Sequence, residues 1–438
     1  MAVEITGVRT ARDLALEIET RIRDGVIPAD AQLPTIRALA SHLGVSPMTV
    51  ATAYRELRLR GIVTTAGRRG TRVTERPPVR AVSRTPIPAG IRDLSSGNPD
   101  PAFLPSLEEA FNAIDPQPRL YGVDASLPEL RELAMGRFAD DGIEVPSMTI
   151  VAGTLDAVDR VLAAHLRPGD MIAVEDPGYA RVYDLLRGGG FELVPIQVDD
   201  FGVLTSELER ALARGVEAVI VTPRAQNPFG SAMDDRRAGE LRDVLSSHPD
   251  VLIIEDDHAG ISAGTSAQSI RPPDHDRWAI SRSVSKTLGP DLRLAVLAGD
   301  AETVARVEGR RMLGTGWVSH IIQQLVVALW SDADVNATMA RSGEVYAHRR
   351  DAVVGELTDR GITAHGRSGL NLWVPVPEET AAVTGLLQQG WAVTAGERWR
   401  LRSRPGIRVT TAALPTEEAP AFAAALAEVL ADGGHGYA

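Results

Sequence analysis

The sequence predicts an α/β protein with a small helical domain ahead of it, and three observations support this fold class. From residue 93 onward, apolar runs of strand length alternate with helical patterns, which is typical of a largely parallel sheet covered on both faces. Residues 1–76 instead contain three short helical patterns and two β-branched runs. The intervening residues 77–92 are rich in proline and predict a semi-rigid linker between domains 1–76 and 93–438.

Composition narrows the classes of function. Apolar residues make up 44% of the 438-residue chain and charged residues 24%, as in a folded globular protein. The absence of cysteine excludes disulfide scaffolds, thiolate metal sites and cysteine catalysis, and we predict no metal site. No signal-peptide pattern is visible, and the longest uncharged run, residues 312–331, is too polar for a membrane span. We therefore expect a cytoplasmic protein with no membrane partner.

The net charge of −12 is distributed unevenly along the chain. Residues 1–84 contain 14 arginines and 8 acidic residues, whereas the remainder contains 32 basic and 50 acidic residues. A basic segment joined to an acidic one predicts different partners for the two, with nucleic acid the partner of the basic segment.

Lysine is almost absent, since Lys286 is the only one among 46 basic residues. Arginine can replace lysine as a solubilising cation or a phosphate ligand. It cannot replace lysine where a neutral amine must attack a carbonyl, because guanidinium does not lose its proton in proteins. Lys286 is therefore either a chemically active residue or a surface residue retained by chance.

The helices of the first domain have local start and stop signals. The predicted elements are helices from Thr10 to Gly25, Thr35 to Leu43 and Ser46 to Gly61, and strands at Ile62–Thr65 and Thr71–Val73. Ser46 is a favourable N-cap, and Pro47 suits the first helical position, where a missing N–H costs no hydrogen bond. Three helices and an arginine-tipped hairpin predict a winged helix-turn-helix that places its third helix in the major groove. The alternative is a small protein-interaction module.

The stretch from Leu33 to Val73 resembles the DNA-binding domain of the GntR family of bacterial repressors. By position, the resemblance implies contacts with double-stranded operator DNA from Arg37, Ser46, Met48, Thr49, Gly67 and Arg68. Many members of that family have arginine in the first turns of the recognition helix, where this chain has Pro47 and Ala51. We therefore expect base readout to depend on Thr49, the wing and phosphate contacts.

Seven apolar runs of the second domain predict buried strands. They are Thr149–Ala152, Met171–Val174, Glu192–Val198, Ala218–Val221, Val251–Ile254, Ala279–Ser283 and Leu294–Leu297. Helices are predicted at Thr154–Leu166 and after a capping box from Ser206 to Glu209. Ligands of such sheets bind beyond the carboxyl ends of the strands, so polar residues there are candidate site residues.

Chemically distinctive residues follow successive strands. They are Gly153 and Thr154, then Tyr179, Asn227, Asp256 and His258, then Ser283, Ser285 and Lys286, with Arg293 seven residues beyond. A helix start can bind phosphate, an aromatic ring can stack on a flat cofactor, and a carboxylate can keep a ring nitrogen protonated. Together with one amine, this set predicts pyridoxal 5′-phosphate (PLP), an aldehyde cofactor held as a Schiff base on lysine.

Residues 93 to about 430 resemble the fold-type I aminotransferases, which are PLP-dependent. Behind a GntR-type domain, this arrangement is similar to the MocR subfamily of transcriptional regulators. The resemblance implies that Lys286 carries PLP, Asp256 pairs with the pyridine nitrogen and Asn227 bonds the ring 3′ oxygen. It also implies that Tyr179 stacks on the ring and that Arg408 binds a substrate or effector carboxylate. The phosphate is expected to be held by Thr154, Ser283 and Arg293, near Gly153 and Ser285. Tyr121 is expected to reach the phosphate of the other subunit.

Two departures from the aminotransferase pattern concern catalysis more than cofactor binding. His258 stands where the family usually has a tyrosine that donates to the 3′ oxygen, a role that neutral imidazole can also fill. Ser126 replaces a glycine that is common after the tyrosine-glycine motif.

The sequence favours a homodimeric transcription factor whose aminotransferase-like domain senses PLP or an amino compound through Lys286. An alternative is an active aminotransferase that carries a DNA-binding domain, or one that retains only a half-reaction. A third interpretation is a repressor whose second domain binds a different small molecule and leaves Lys286 unmodified.

Overall fold

A computed structural model describes residues 10–23, 26–28, 30–59, 62–65, 70–73, 87–115 and 117–433. Contacts between Cα atoms divide the chain into two compact units, Met1–Pro86 and Ile87–Ala438. Most of the predicted linker, up to residue 86, lies outside the described residues.

The first unit is a three-helix domain with a short hairpin. Its elements are α1 (Ala11–Arg23), α2 (Ile36–Leu43), α3 (Pro47–Leu59), β1 (Val63–Thr65) and β2 (Thr71–Val73). Thr35 caps α2 by accepting a hydrogen bond from the Ala38 N–H, and Gly44 ends it in the left-handed conformation that glycine adopts without strain. The two strands pair antiparallel, and the apolar faces of the helices form one core that includes Leu14, Ile18, Leu39, Val50 and Leu57. The predicted winged helix is confirmed.

The second unit is an α/β domain whose described residues form a main sheet of eight strands with sixteen further strands and α-helices. In chain order the elements are β3 (Arg92–Asp93), α4 (Glu108–Ala113), α5 (Pro128–Ala139), β4 (Ser147–Val151), α6 (Thr154–His165), β5 (Met171–Asp176), α7 (Ala180–Gly188), β6 (Glu192–Asp199), β7 (Gly202–Val203), α8 (Thr205–Ala213), β8 (Ala218–Val221), α9 (Asp235–Ser246), β9 (Leu252–Asp257), β10 (Trp278–Ser283), β11 (Ala295–Gly299), α10 (Ala301–Arg311), α11 (His320–Ser331), α12 (Ala333–Asp359), β12 (Asn371–Pro375), α13 (Glu379–Gln388), β13 (Trp391–Ala392), β14 (Thr394–Ala395), β15 (Gly406–Thr410) and α14 (Ala419–Gly433).

The main sheet has eight strands in the order β4-β11-β10-β9-β8-β5-β6-β7. The strands from β10 to β6 are mutually parallel, while β11 is antiparallel to both of its neighbours and β7 is antiparallel to β6. Neighbouring residues of one strand belong to different cores: Ile253 packs on one face and Ile254 on the other. The sheet is therefore buried on both faces, as the uninterrupted apolar runs predict.

One predicted helix start is wrong. Helix α8 begins at Thr205, and Leu204 occupies the N-cap position without a side-chain cap, so Ser206 lies inside the first turn. The reason is the preceding β7, which pairs with β6 and continues with a hydrogen bond from the Leu204 N–H to the Gln197 carbonyl. Pairing in the sheet therefore makes the helix start two residues earlier than the Ser206–Glu209 pattern indicates.

A smaller sheet of order β12-β15-β14 forms a second layer with α12, α13 and α14. Strand β3 pairs with β13 beside the smaller sheet. The described part of the second unit, which starts at residue 87, therefore begins in this subdomain. This sheet contributes Arg408 to the candidate site. Among the described residues, no helix is both long enough and apolar enough to cross a membrane.

Candidate functional site

The predicted site residues converge at one edge of the main sheet. Strands β5, β8, β9 and β10 end there because they are parallel, and β4 ends there because two antiparallel steps through β11 restore its direction. The residues that follow these ends include Tyr179, Asn227, Asp256 and Lys286. The parallel topology therefore brings together side chains that are more than 100 residues apart in sequence.

Asp256 at the end of β9 is buried and incompletely hydrogen-bonded. Only 4% of its surface is exposed, and its Oδ1 has no hydrogen-bond partner among the described residues. Burial raises the pKa of its carboxyl to about 7, the charges of Asp257 and Glu175 act in the same direction, and a hydrogen bond from the Thr154 side chain opposes them. A buried carboxyl with an unfilled acceptor position is suited to a ligand that supplies an N–H.

Asp257 has the opposite environment. Its carboxylate accepts from Arg224 Nη2 at 2.8 Å and from Arg282 Nε at 2.7 Å. Burial alone would raise its pKa, but the two guanidinium charges outweigh that effect and hold the pKa well below the usual range. Both arginines also bind Asp141, which makes a buried ion network behind the site. Sequence reasoning did not identify this network, because its members are distant in the chain.

Glu175, also absent from the predicted set, holds the loop that carries Asn227. Its two carboxyl oxygens accept hydrogen bonds from the Thr222 N–H and hydroxyl, both at 2.9 Å, and from Gln226 Nε2 at 3.1 Å. Burial raises the pKa of Glu175 to about 7 against these hydrogen bonds. The one available sequence signal was an acidic residue inside the strand pattern before Asp176.

Lys286 lies in the turn after β10 and is half-buried. Its Nζ donates a hydrogen bond to the Gly97 carbonyl at 2.6 Å. The neighbouring Ser283 Oγ accepts from the Ser285 N–H and donates to Ser285 Oγ, both at 3.0 Å, which fixes the turn. The predicted serines and lysine are therefore adjacent, and Gly97 is an additional contact that the sequence did not indicate.

The predicted phosphate site combines a helix start with a guanidinium. Gly153 precedes α6 with a φ of 99°, and a Cβ at this position would lie 2.8 Å from Arg293 Nη2. Arg293 is exposed, and its Nη2 is 3.5 Å from the Ala152 carbonyl. Glycine thus lets the guanidinium approach the first turn of α6 closely, and both groups favour a nearby anion. Thr154 at the helix start bonds Asp256 instead of facing solvent.

Aromatic and basic side chains also contribute to the site, since the charges of Asp256, Arg408 and Arg293 all act on Tyr179. Tyr179 precedes α7, and its ring lies 5.8 Å from that of Trp399 at an angle of 34°. The guanidinium of Arg408 stacks over Trp399 at 4.4 Å, and its Nη1 is 3.3 Å from Asn227 Oδ1. Burial raises the pKa of Tyr179. Arg408 is only 4% exposed, so a carboxylate that reached it would form a strong pair.

His258 uses one ring nitrogen inside the protein. Its Nε2 lies 2.9 Å from the Ala225 carbonyl, which can only accept a hydrogen bond. Burial lowers the pKa of His258 to about 4, with the Lys286 charge acting in the same direction. The imidazole is then neutral at pH 7 with its single N–H on Nε2, and Nδ1 is left as an acceptor. Donation to a cofactor oxygen would require His258 to give up the Ala225 contact.

Tyr121 lies away from these residues within the single chain. It is 91% exposed and contacts the edge of Trp317, with ring centres 5.6 Å apart. Other large apolar side chains nearby in sequence or beyond α10 are exposed too, namely Leu120, Val123, Met312 and Leu313.

The first unit exposes most of the residues expected to contact DNA. Arg37 on α2 is exposed, and Met48 on α3 is 73% exposed. Ser46 Oγ accepts a hydrogen bond from the Thr49 N–H at 3.0 Å and lies 2.9 Å from Thr49 Oγ1, so it caps α3. Gly67 and Arg68 lie outside the described residues.

Two family profiles match the chain. Residues 90–426 match aminotransferase class I and II, and residues 10–73 match bacterial regulatory proteins of the gntR family. The vitamin B6 salvage pathway transcriptional repressor PtsJ of Salmonella typhimurium is 37% identical over 424 residues, which cover 96% of this chain and 99% of the relative. The pyridoxine biosynthesis transcriptional regulator PdxR of Corynebacterium glutamicum is 27% identical, with 87% of each chain covered.

Solved aminotransferases share the fold of the second unit. The multiple substrate aminotransferase of Thermococcus profundus superposes with a TM-score of 0.72 at 22% identity, covering 79% of this chain and 92% of that one. This similarity establishes the fold-type I architecture. The expected order of a GntR-type domain followed by an aminotransferase-like domain, as in MocR-type regulators, is confirmed by the two family matches.

Proposed function

Because the chain belongs to the aminotransferase class I and II family and carries a gntR-family regulatory domain, we propose that it is a transcriptional regulator that senses PLP at Lys286. The gntR-family domain binds DNA, and the aminotransferase-like domain binds PLP. The observation that carries the proposal is the buried Asp256 Oδ1 without a partner, at the same sheet edge as the only lysine. The effector is PLP itself or an amino compound bound with it.

The residues at this edge fit PLP in three respects. Asp256 offers a buried carboxyl oxygen to a protonated ring nitrogen. The Arg293 guanidinium, which the missing Cβ of Gly153 allows to lie against the start of α6, adds its charge to the helix N-terminus, and the two together suit a phosphate. Lys286 supplies the amine. When bound, PLP provides an aldehyde that condenses with amines and a ring that withdraws electrons.

Each remaining side chain has a positioning role in this proposal. Asp256 holds the proton on the ring nitrogen, Tyr179 packs against the ring, and Asn227 orients the ring oxygen. His258 also orients that oxygen once its N–H leaves the Ala225 carbonyl. Ser283, Ser285, Thr154 and Arg293 surround the phosphate. Arg408 binds the carboxylate of an amino-compound effector through its guanidinium, which is oriented by stacking on Trp399.

We assign the regulated process to vitamin B6 supply. The support is PtsJ, which matches almost the whole chain at 37% identity, and PdxR, whose printed name also concerns this vitamin. A regulator of cofactor supply that binds the cofactor responds directly to the concentration that it controls.

The protein is proposed to act in the cytoplasm as a homodimer. Tyr121 is exposed among Leu120, Val123 and Leu313, and a second copy that covered these side chains would bring Tyr121 to the other subunit's phosphate site. Two-fold symmetry also suits an operator with repeated half-sites.

Reductive labelling tests the cofactor site. Purified protein is incubated with PLP, reduced with borohydride and digested, and the modified peptide is identified by mass spectrometry. We expect one phosphopyridoxyl group per chain, on Lys286. An unmodified Lys286 in folded protein would overturn the proposal, and the protein would then be a DNA-binding regulator of another ligand.

A panel of amino acids then separates a regulator from an enzyme. We expect PLP to change the affinity for operator DNA, while conversion of bound PLP to its amine form is slow or undetectable. Turnover with a keto-acid acceptor, together with an operator affinity that no ligand changes, would instead support an aminotransferase with a DNA-binding domain. The relatives PtsJ and PdxR, which match 87% or more of the chain and are named as transcriptional regulators, favour the regulator.

A further inference from the structure

A short segment crosses the candidate site and binds two of its cationic side chains through backbone oxygens. We call this segment, Ser95–Asn98, the strap. The Gly97 carbonyl accepts a hydrogen bond from Lys286 Nζ at 2.6 Å, and the Ser95 carbonyl accepts one from Arg408 Nη2. The strap therefore engages both the amine proposed to bind PLP and the guanidinium proposed to bind an effector carboxylate.

The strap is held by its own anchors as well. The Gly97 N–H donates to Thr410 Oγ1 at 3.1 Å, and Thr394 Oγ1 donates to the Ser95 carbonyl at 3.0 Å. Gly97 adopts a φ of 66°, and a Cβ there would lie 3.2 Å from Arg408 Nη1. Glycine at this position thus permits both the left-handed backbone and the close approach to Arg408.

The flanking residues are fixed by contacts of their own. Before it, Leu94 is fully buried and exchanges backbone hydrogen bonds with Ala392 and Thr410, each 2.8 Å long. After it, the Asp100 N–H bonds the Tyr346 hydroxyl at 3.0 Å, and its carboxylate pairs with Arg349 at 2.7 Å. Movement of the strap can therefore occur between two fixed points.

The ligand and the strap compete for the same hydrogen-bond donors, which are the Lys286 amine and the Arg408 guanidinium. A carboxylate is a stronger partner for a guanidinium than a neutral carbonyl oxygen is, because the hydrogen bonds are assisted by charge. A lysine nitrogen that is covalently bonded to a ligand carbon can no longer present the same donors to Gly97. A ligand can shift the strap only through this difference in binding free energy between the two arrangements.

We propose that the strap is an internal competitor of the ligand and that its release is the first structural response to ligand binding. The proposal rests on the proposed function. The strap begins nine residues after Pro86, where the two compact units of the chain divide. In sequence, this part of the second unit lies close to the linker from the DNA-binding domain. Release of the strap therefore changes the segment that follows the linker.

Hydrogen exchange of the full-length protein tests this proposal. Deuterium uptake of residues 94–100 is measured without ligand, with PLP, and with N-(5′-phosphopyridoxyl)-L-alanine, which carries a carboxylate but cannot bond to lysine. We expect both ligands to increase uptake at the strap, including the Gly97 amide, and absorbance confirms that each ligand is bound. Unchanged or decreased uptake with bound ligand would overturn the strap proposal alone. Absence of binding would overturn the proposed function and the strap proposal with it.

Two variants weaken the strap, and one provides a matched control. Gly97→Ala places a methyl group against Arg408, and Thr410→Val removes the acceptor of the Gly97 N–H. We expect each to raise strap exchange without ligand and to bind the phosphopyridoxyl-alanine on the order of five-fold more tightly, which is what one lost hydrogen bond is worth. Gly361→Ala is the control, since Gly361 has a φ of 74° with no atom within 4 Å of a Cβ.

The control separates release of the strap from general backbone strain. Affinity that rises in Gly97→Ala and Thr410→Val but not in Gly361→Ala supports the proposal. Weaker binding in both strap variants, with the fold intact by circular dichroism, would show that the strap helps to hold the ligand and would overturn it.

Discussion

Asp256 and Asp257 are neighbours in β9 and have opposite electrostatic environments. Successive side chains of a strand point to opposite faces, so one carboxyl faces the candidate site and the other faces Arg224 and Arg282. The pKa of Asp256 is raised to about 7 and that of Asp257 is lowered. Two neighbouring acids of one strand can therefore differ in role, with Asp256 as a ligand-binding group and Asp257 as a structural anchor.

Replacement of Asp256 by asparagine should stabilise the ligand-free protein and weaken PLP binding. An acid whose pKa in the folded state lies above its unfolded value of about 3.9 loses stability as pH rises between the two values. Asp256→Asn should therefore raise the free energy of unfolding by on the order of 2–4 kcal/mol at pH 8 and by little near pH 4. PLP affinity should fall at least ten-fold, because a charge-assisted hydrogen bond is lost. Thermal unfolding at several pH values and absorbance titration measure the two effects.

Asp257→Asn is the matched control. It removes one of the two carboxylates that pair with the buried Arg224 and Arg282 and leaves only Asp141, so it should lower the free energy of unfolding by on the order of 3 kcal/mol. If both variants lost stability to the same extent at pH 8, Asp256 would be a structural anchor too, and its assignment as the ring-nitrogen partner would be contradicted.

His258 should titrate far below an ordinary histidine. Its folded pKa of about 4 lies below the unfolded value of 6.5, so its contribution to stability is present above pH 6.5 and is lost as pH falls toward 4. Long-range nitrogen–proton NMR of the ligand-free protein should show the proton on Nε2 at pH 7, consistent with donation to Ala225. The same ring in urea-unfolded protein provides the reference. Titration between pH 6 and 7 in the folded protein would contradict a buried, neutral His258.

At the residue scale, sequence reasoning identified side chains by chemistry and missed those defined by geometry. Lys286 and Asp256 were predicted because a single lysine and a carboxylate at the end of a strand are visible in the sequence. Trp399 and Gly97 were missed, because their roles depend on stacking over Arg408 and on a backbone carbonyl. Tertiary contacts of this kind leave no periodic pattern.

At the scale of elements, the ends of helices were predicted best where they depend on local sequence signals and not on tertiary contacts. Helix α2 begins and ends as expected and α3 begins as expected, since Thr35, Gly44 and Ser46 act within one turn of the chain, whereas the predicted end of α3 at Gly61 lies outside the described residues. The strands β12 and β15 were not predicted, although β15 carries Arg408. They pair with each other across more than 30 residues, and nothing local marks either one.

The N-cap of α3 has two separable roles. Ser46→Ala removes the acceptor of the Thr49 N–H and should lower the stability of α3 by about 1 kcal/mol, whereas Ser46→Asp keeps a favourable cap. A carboxylate at this position would repel DNA phosphate. We therefore expect hydrogen exchange in α3 to rise only in the alanine variant, while operator affinity falls more in the aspartate variant. Equal affinity of Ser46→Asp and wild type would show that Ser46 does not face DNA.

At the scale of the whole molecule, charge is divided between two units with different partners. The basic residues 1–84 and the acidic remainder were visible in the sequence, and they predicted different partners for the two parts, with nucleic acid as the partner of the basic one. The fold of each unit was also predictable, because each has a strong pattern of its own. The route of the proposed coupling between them was not predictable, because it depends on which segment of the second unit contacts the ligand residues.

Lys286→Arg tests that coupling with the least change to the protein. Arginine keeps the positive charge and can donate to the Gly97 carbonyl, but its guanidinium cannot bond covalently to an aldehyde. We expect wild-type folding, operator affinity within two-fold of wild type without ligand, and no change in that affinity on addition of PLP, measured by fluorescence anisotropy.

Lys286→Ala completes the comparison. It also prevents covalent binding, but it removes the donor to Gly97, so the strap loses one of its contacts. If strap release transmits the signal, the ligand-free alanine variant should bind operator as PLP-loaded wild type does, while the arginine variant binds as ligand-free wild type. Identical DNA binding by the two variants would mean that the bond between Lys286 and Gly97 carries no regulatory information. A PLP response retained in the arginine variant would mean that the phosphate and ring suffice, since only the covalent bond differs.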